Sequence, residues 1–131
     1  MTRLNERGAS AVEFALLLPV LMLILFGTIE FGMVMYSREV LTNASREGAR
    51  AGIVQQTPKP TVGQIQGVVT NYLTNTGVNP ANVTVTVTGA GGVFPNNLTV
   101  SASYPYRFFV PGILGLGNSV TLTTQTVMRH E

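Results

Sequence analysis

Residues 8 to 36 read GASAVEFALLLPVLMLILFGTIEFGMVMY. Inside this stretch, Phe14 to Ile29 carries no charge and almost no polar atom, then Glu30 interrupts, then Phe31 to Tyr36 are apolar again. At about 1.5 Å per residue, a helix over 14–29 covers roughly 24 Å and one over 14–36 roughly 34 Å. A bilayer core of about 30 Å falls between those lengths. The stretch therefore predicts a membrane-spanning helix. A buried core helix would need a soluble remainder large enough to wrap it, and the rest of the chain is too small. A secretory signal peptide would be shorter and followed by a small-x-small site. Ala49-Arg50-Ala51 has that pattern but lies beyond a charged helical segment.

Pro19 removes one helical hydrogen bond and is expected to bend the span. Charge counting does not orient it: Arg3 and Arg7 precede it, and Arg38, Arg46 and Arg50 follow.

The bulk composition fits an anchored domain with its face to an extracytoplasmic space. The chain has 131 residues, enough for one small domain plus an appendage. Charged residues are 11%, against about 25% in ordinary soluble proteins. Mean hydropathy is +0.30. Between Pro60 and Met128 the only charge is Arg107; the block is Thr, Asn, Val and Gly, soluble through hydroxyls and amides. Cysteine is absent, which removes disulfides, thiolate metal sites and cysteine catalysis. The net charge of +2 is not gathered into a basic stripe, so no nucleic-acid partner is expected.

Glu13 sits at the mouth of the span. A charge at the centre of a bilayer costs about 2.5–3.5 kcal/mol or more, and near its edge a carboxylate still needs a partner. The preceding leader is short and basic and ends in Gly8. Cleavage between Gly8 and Ala9 would create an α-amine at the boundary. Glu13, four residues further along a helix, would lie on nearly the same face as that amine. The two charges could neutralise each other within one chain or between neighbours, and pairing makes burial tolerable. A glycine before the cut lets a protease approach the backbone closely in an extended conformation.

This constellation resembles the processing site of type IV prepilins: glycine, a small residue, then glutamate and Phe14 opening the hydrophobic span. The run VEFALLLPVLMLILFGTIEFG, the stretch Asn43-Ala44-Ser45-Arg46-Glu47-Gly48-Ala49-Arg50-Ala51-Gly52 and a closing strand that ends Thr126-Val127-Met128-Arg129-His130-Glu131 narrow the likeness. They are similar to the TadE-like family, small pseudopilins of the tight-adherence (Flp pilus) secretion system. The resemblance implies an assembly role. Gly8 and Ala9 would be processing residues, and Glu13 and Phe14 assembly residues. Its partners would be a prepilin peptidase, other pseudopilins or pilin, the inner-membrane assembly platform and the lipid bilayer. The amino terminus would be cytoplasmic and the C-terminal domain periplasmic or, in a pilus, extracellular. The competing expectation is an unprocessed, single-pass anchored domain that binds a ligand.

Beyond the span, Ser37 to Val54 still reads as helix. Val40, Leu41, Ala44, Gly48 and Ala51 recur at three- and four-residue steps. Ala44, Gly48 and Gly52 are small-xxx-small steps that let two backbones come close, on the chain's own domain or on other subunits. Glu47 can pair with Arg50. One long helix from about Ala9 to Val54 is expected. Glu30 lies about 25 Å from Glu13 along it and about 100° off its face. It is expected to reach headgroup water or to contact another helix of an assembly.

Thr57-Pro58-Lys59-Pro60 breaks the stem. Thr61 can cap a short helix with Val62, Ile65, Val68, Val69, Tyr72 and Leu73 on one face, ending at Asn75-Thr76-Gly77. Three alternating runs then predict strands over 82–88, 98–106 and 120–128, with Gly89 to Gly92 as a turn and Pro105 marking an edge or an end. The expected architecture is α+β: a leader (1–8), a transmembrane and stem helix (9–56), and a small domain of one helix on a three-stranded antiparallel sheet (57–131). The loop from Phe108 to Leu116 carries unusual apolar content, and either closes the core or forms an exposed patch. No catalytic constellation, phosphate loop or metal-ligand cluster is present in the sequence, and no enzyme activity or cofactor is expected. His130, next to the terminus, is expected to fray.

Overall fold

A computed structural model describes residues 3–112, 115 and 117–131. The chain begins with a single long helix, α1 (Arg3–Ile53), continuous through Pro19. It starts earlier than Ala9 because nothing between Arg3 and Gly8 breaks a helix: Leu4, Glu6 and Arg7 are good helix formers. A second helix, α2 (Val62–Asn75), follows. Its cap is a reciprocal pair: Gln64 N donates to Thr61 Oγ1 at 3.3 Å, and Thr61 N donates to Gln64 Oε1 at 2.9 Å. A 3₁₀ turn (Pro80–Asn82) leads into β1 (Thr84–Thr88), then β2 (Asn97–Arg107) and β3 (Ser119–Arg129).

The strands form an antiparallel meander in the order β1-β2-β3. The register runs from Asn97↔Arg129 at one end of the β2–β3 ladder to Arg107↔Ser119 at the other. Pro105 lies in the central strand, yet the edge expectation holds locally. β1 stops pairing at Thr84↔Ser103, so beyond that point β2 has a strand on one side only.

Alternation decides the two faces of the sheet. Val87, Leu98, Val100, Ala102, Tyr106 and Leu122 are buried on the inner face. Thr84, Thr86, Thr88, Thr121, Thr123 and Gln125 are exposed on the outer one. The inner face is covered by two helices rather than one. α2 contributes Ile65, Val69 and Leu73, and the second half of α1 contributes Val40, Leu41, Ala44 and Ala49. A strand triplet with a single short helix is near the lower limit of independent stability. The stem of α1 supplies the missing layer.

Candidate functional site: a free and a docked half of one helix

α1 divides at Glu30. Before it, the side chains from Gly8 to Ile29 are exposed apart from Leu18 and Gly27, which are half-buried. Leu16, Leu17 and Ile24 are among the large apolar side chains left open. From Glu30 onward, one stripe is buried: Glu30, Ser37, Val40, Leu41, Ala44, Ser45, Gly48, Ala49 and Gly52. The steps of seven, three, one, three, one, three, one and three keep these residues on one side of the helix.

The small residues of the stem fit the chain's own domain. A Cβ added at Gly48 would lie 2.4 Å from Val69 Cγ2, and one at Gly52 would lie 2.4 Å from Leu98 Cδ2 and 2.7 Å from Ile65 Cδ1. Such approaches leave no room for a side chain, so glycine sets how closely α1 meets α2 and β2. The Ala44, Gly48 and Gly52 series therefore packs within the chain. A polar seam continues beside it, with Ser45 Oγ 2.7 Å from Thr126 Oγ1 and donating to the Thr42 carbonyl at 2.8 Å. Glu47 and Arg50 pair on the exposed side at 3.4 Å.

Glu30 is where the structure departs most from expectation. It neither reaches headgroup water nor faces a foreign helix. It is 2% exposed and folded into its own domain. The Tyr106 hydroxyl donates to Oε1 at 2.9 Å. The backbone N–H of Phe109 donates to both oxygens, at 3.0 and 2.9 Å, and that of Val110 to Oε2 at 3.1 Å. A buried carboxylate is expensive unless its lone pairs are filled, and here they are. The same contacts satisfy two backbone donors just past the end of β2 that no strand takes up. Burial first, then the hydrogen bond to Glu30, push the Tyr106 hydroxyl up to about 12. Tyr106 stands edge-on to Tyr104 and to Phe108, with ring centroids 6.4 and 6.0 Å away.

The connection after β2 serves both of its expected roles, divided between adjacent residues. Phe108 closes the core at 8% exposure, whereas Phe109 is 82% exposed. Ile113, Leu114 and Leu116 of this loop lie outside the described residues.

The sequence-predicted processing residues stand apart from this clamp. Gly8, Ala9, Glu13 and Phe14 all lie on α1 and are exposed. Gly8 has helical backbone on both sides, not the extended form a protease takes, and a Cβ there would meet nothing within 4 Å. His130 is a second correction. It is 4% exposed, its Nε2 lies 2.8 Å from the Gly89 carbonyl oxygen, and its backbone N donates to Asn96 O at 3.0 Å. The ring is held by the β1–β2 connection, which no local sequence signal announces. Among the described residues no group of three or more His, Cys, Asp or Glu could hold a metal ion.

α1 is long and apolar enough to cross a membrane. Residues 8–50 match the family model described as TadE-like protein. Over that segment, about a third of the chain, it is similar to TadE-like proteins. The matched segment lies wholly within α1, from the glycine before the span to the last docked turn but one. TadE-like proteins are tied to Tad/Flp pilus systems, and among the described residues α1 is the one helix long and apolar enough to cross a membrane, which points to single-pass anchoring. No curated protein and no solved structure matches the chain.

Proposed function

We propose that this protein is a TadE-like minor pseudopilin that takes part in assembling a Flp-type pilus. α1 would cross the inner membrane with its leader in the cytoplasm, and a prepilin peptidase would cut between Gly8 and Ala9. The observation that carries this reading is the free half of α1. After such a cut, the exposed segment Ala9–Ile29 would be about 31 Å long, the thickness of a bilayer core, and would end where the docked half begins. Glu13 is exposed on that segment, one helical turn from the new α-amine, where a neighbouring chain or its own terminus can neutralise it. Because residues 3–8 are helical, the peptidase must unwind the turns around Gly8, and glycine is, proline aside, the residue whose helix costs least to open.

Intact-mass analysis of the protein with and without its cognate peptidase tests the processing step. The expected product begins at Ala9, and Gly8→Ala, or more severely a bulky residue, leaves the full-length precursor. Glu13→Ala is expected to be cut normally and to assemble poorly. A native product that still begins at Met1 would instead favour an unprocessed, membrane-anchored binding domain.

A further inference from the structure

The clamp at Glu30 fixes more than the helix. It ties the backbone of Phe109 and Val110 to the first residue after the exposed apolar segment of α1. Phe109 is therefore held at the level where the span ends. Phe109 is 82% exposed, the largest exposure among the open apolar residues; Phe94, Val93 and Val127 are also open, but toward the opposite, Asn97↔Arg129 end of the sheet. Pro111 next to it is also exposed. On α1, Ile29, Phe31 and Met33 are about half exposed or more at the same level. Two residues before Phe109 stands Arg107, exposed, and the only charged residue between Pro60 and Met128. An open aromatic beside an isolated guanidinium, continuous with an apolar helix surface, has the chemistry of a bilayer boundary. The ring enters the acyl edge while the cation stays among the headgroups.

We propose that the Phe109 tip seats in the headgroup–acyl boundary of the bilayer that α1 crosses, so that the domain rests on the membrane instead of standing off on its stem. The proposal rests on α1 being the span, and the test separates the two. The chain contains no Trp, so single-Trp variants report without background. Three are placed in the full chain: Phe109→Trp, Leu21→Trp in the free half of α1, and Phe94→Trp. Phe94 is exposed near the Asn97↔Arg129 end of the sheet, about 34 Å from the Arg107 end along β2.

Each variant is reconstituted in phosphatidylcholine–phosphatidylglycerol vesicles over a range of protein-to-lipid ratios. Emission is read against aqueous acrylamide and against lipids brominated at shallow or deep acyl positions. Leu21→Trp is expected to be quenched most by deep bromines. Phe109→Trp is expected to be blue-shifted relative to Phe94→Trp, quenched most by shallow bromines and protected from acrylamide. Phe94→Trp is expected to respond to acrylamide alone. If Phe109→Trp behaves like Phe94→Trp while Leu21→Trp is quenched by lipid, the span stands and the seating is overturned. Protection of Phe109→Trp without lipid quenching, growing with protein-to-lipid ratio, overturns it in favour of a second copy. If Leu21→Trp itself escapes lipid quenching, the span reading fails and the seating falls with it.

Discussion

The two halves of α1 belong to one unbroken helix and meet different fates. Residues 8–29 are more apolar than the stem, yet they find nothing in the chain to bury against. The stem is studded with Arg and Glu, yet its buried stripe is closed to solvent. Hydropathy thus does not say which half joins the domain. The joining half is marked by small residues in register, Ala44, Gly48 and Gly52, and by one carboxylate at its start. Small side chains permit close approach, and Glu30 supplies a directional lock that an apolar side chain cannot.

The largest expected effect comes from comparing Glu30 with Glu13. Glu30→Ala strands two backbone N–H groups and the Tyr106 hydroxyl. Hydrogen bonds to a charged group are worth about 1.5–3 kcal/mol each, and several are lost together, so a destabilisation of about 3 kcal/mol or more is expected. Thermal unfolding of the full chain in detergent micelles measures it. Glu13→Ala, on the free half, is expected to leave that transition in place. If both variants unfold alike, the division of α1 at Glu30 is wrong.

A sharper probe of the clamp is its phenol. Tyr106 is raised to about 12 by burial and by Glu30, against about 10 for a free tyrosine. The sign follows from the raised value: the stabilising form is the neutral hydroxyl. Its contribution is complete below about pH 10 and is lost as pH climbs from there toward 12. Ultraviolet titration compared with a Tyr106→Phe variant should show Tyr106 ionising late, and Glu30→Gln should lower its midpoint. A Tyr106 midpoint at the free value of about 10 would remove the clamp from the solution structure.

The smallest effect tests the fit of the stem. Gly48→Ala gains about 1 kcal/mol of helix propensity but forces a Cβ against Val69, and overpacking costs about 1–3 kcal/mol, so a net loss of up to about 2 kcal/mol is expected. Gly67→Ala in α2, where a Cβ meets nothing within 4 Å, should stabilise instead. Equal shifts for both would mean that the stem is not seated as closely as described.

Much of this was legible in the chain. The span, the capped second helix, three alternating strands and the α+β class follow from periodicities of 3.6 and 2, because side-chain direction is set by the local backbone. Strand ends moved by one or two residues. The Gly8–Phe14 constellation was visible for a similar reason, since its spacing along one helix is a local property. Hidden were Glu30, His130 and the split between Phe108 and Phe109. Each depends on a contact made across a large separation: 76 residues between Glu30 and Tyr106, and 41 between His130 and Gly89. A lone carboxylate after an oily run reads as an interfacial charge because its partners are backbone N–H groups, which every residue but proline carries and which therefore leave no mark on the sequence.

The amino-acid order alone determined that this molecule would carry a bilayer-length helix ahead of a small hydroxyl-rich sheet. Tertiary structure alone decided where that helix stops being free. The packing of α1 on the sheet brings the end of β2 to Glu30, and only three-dimensional proximity can turn two unpaired backbone donors and one buried acid into a mutual solution.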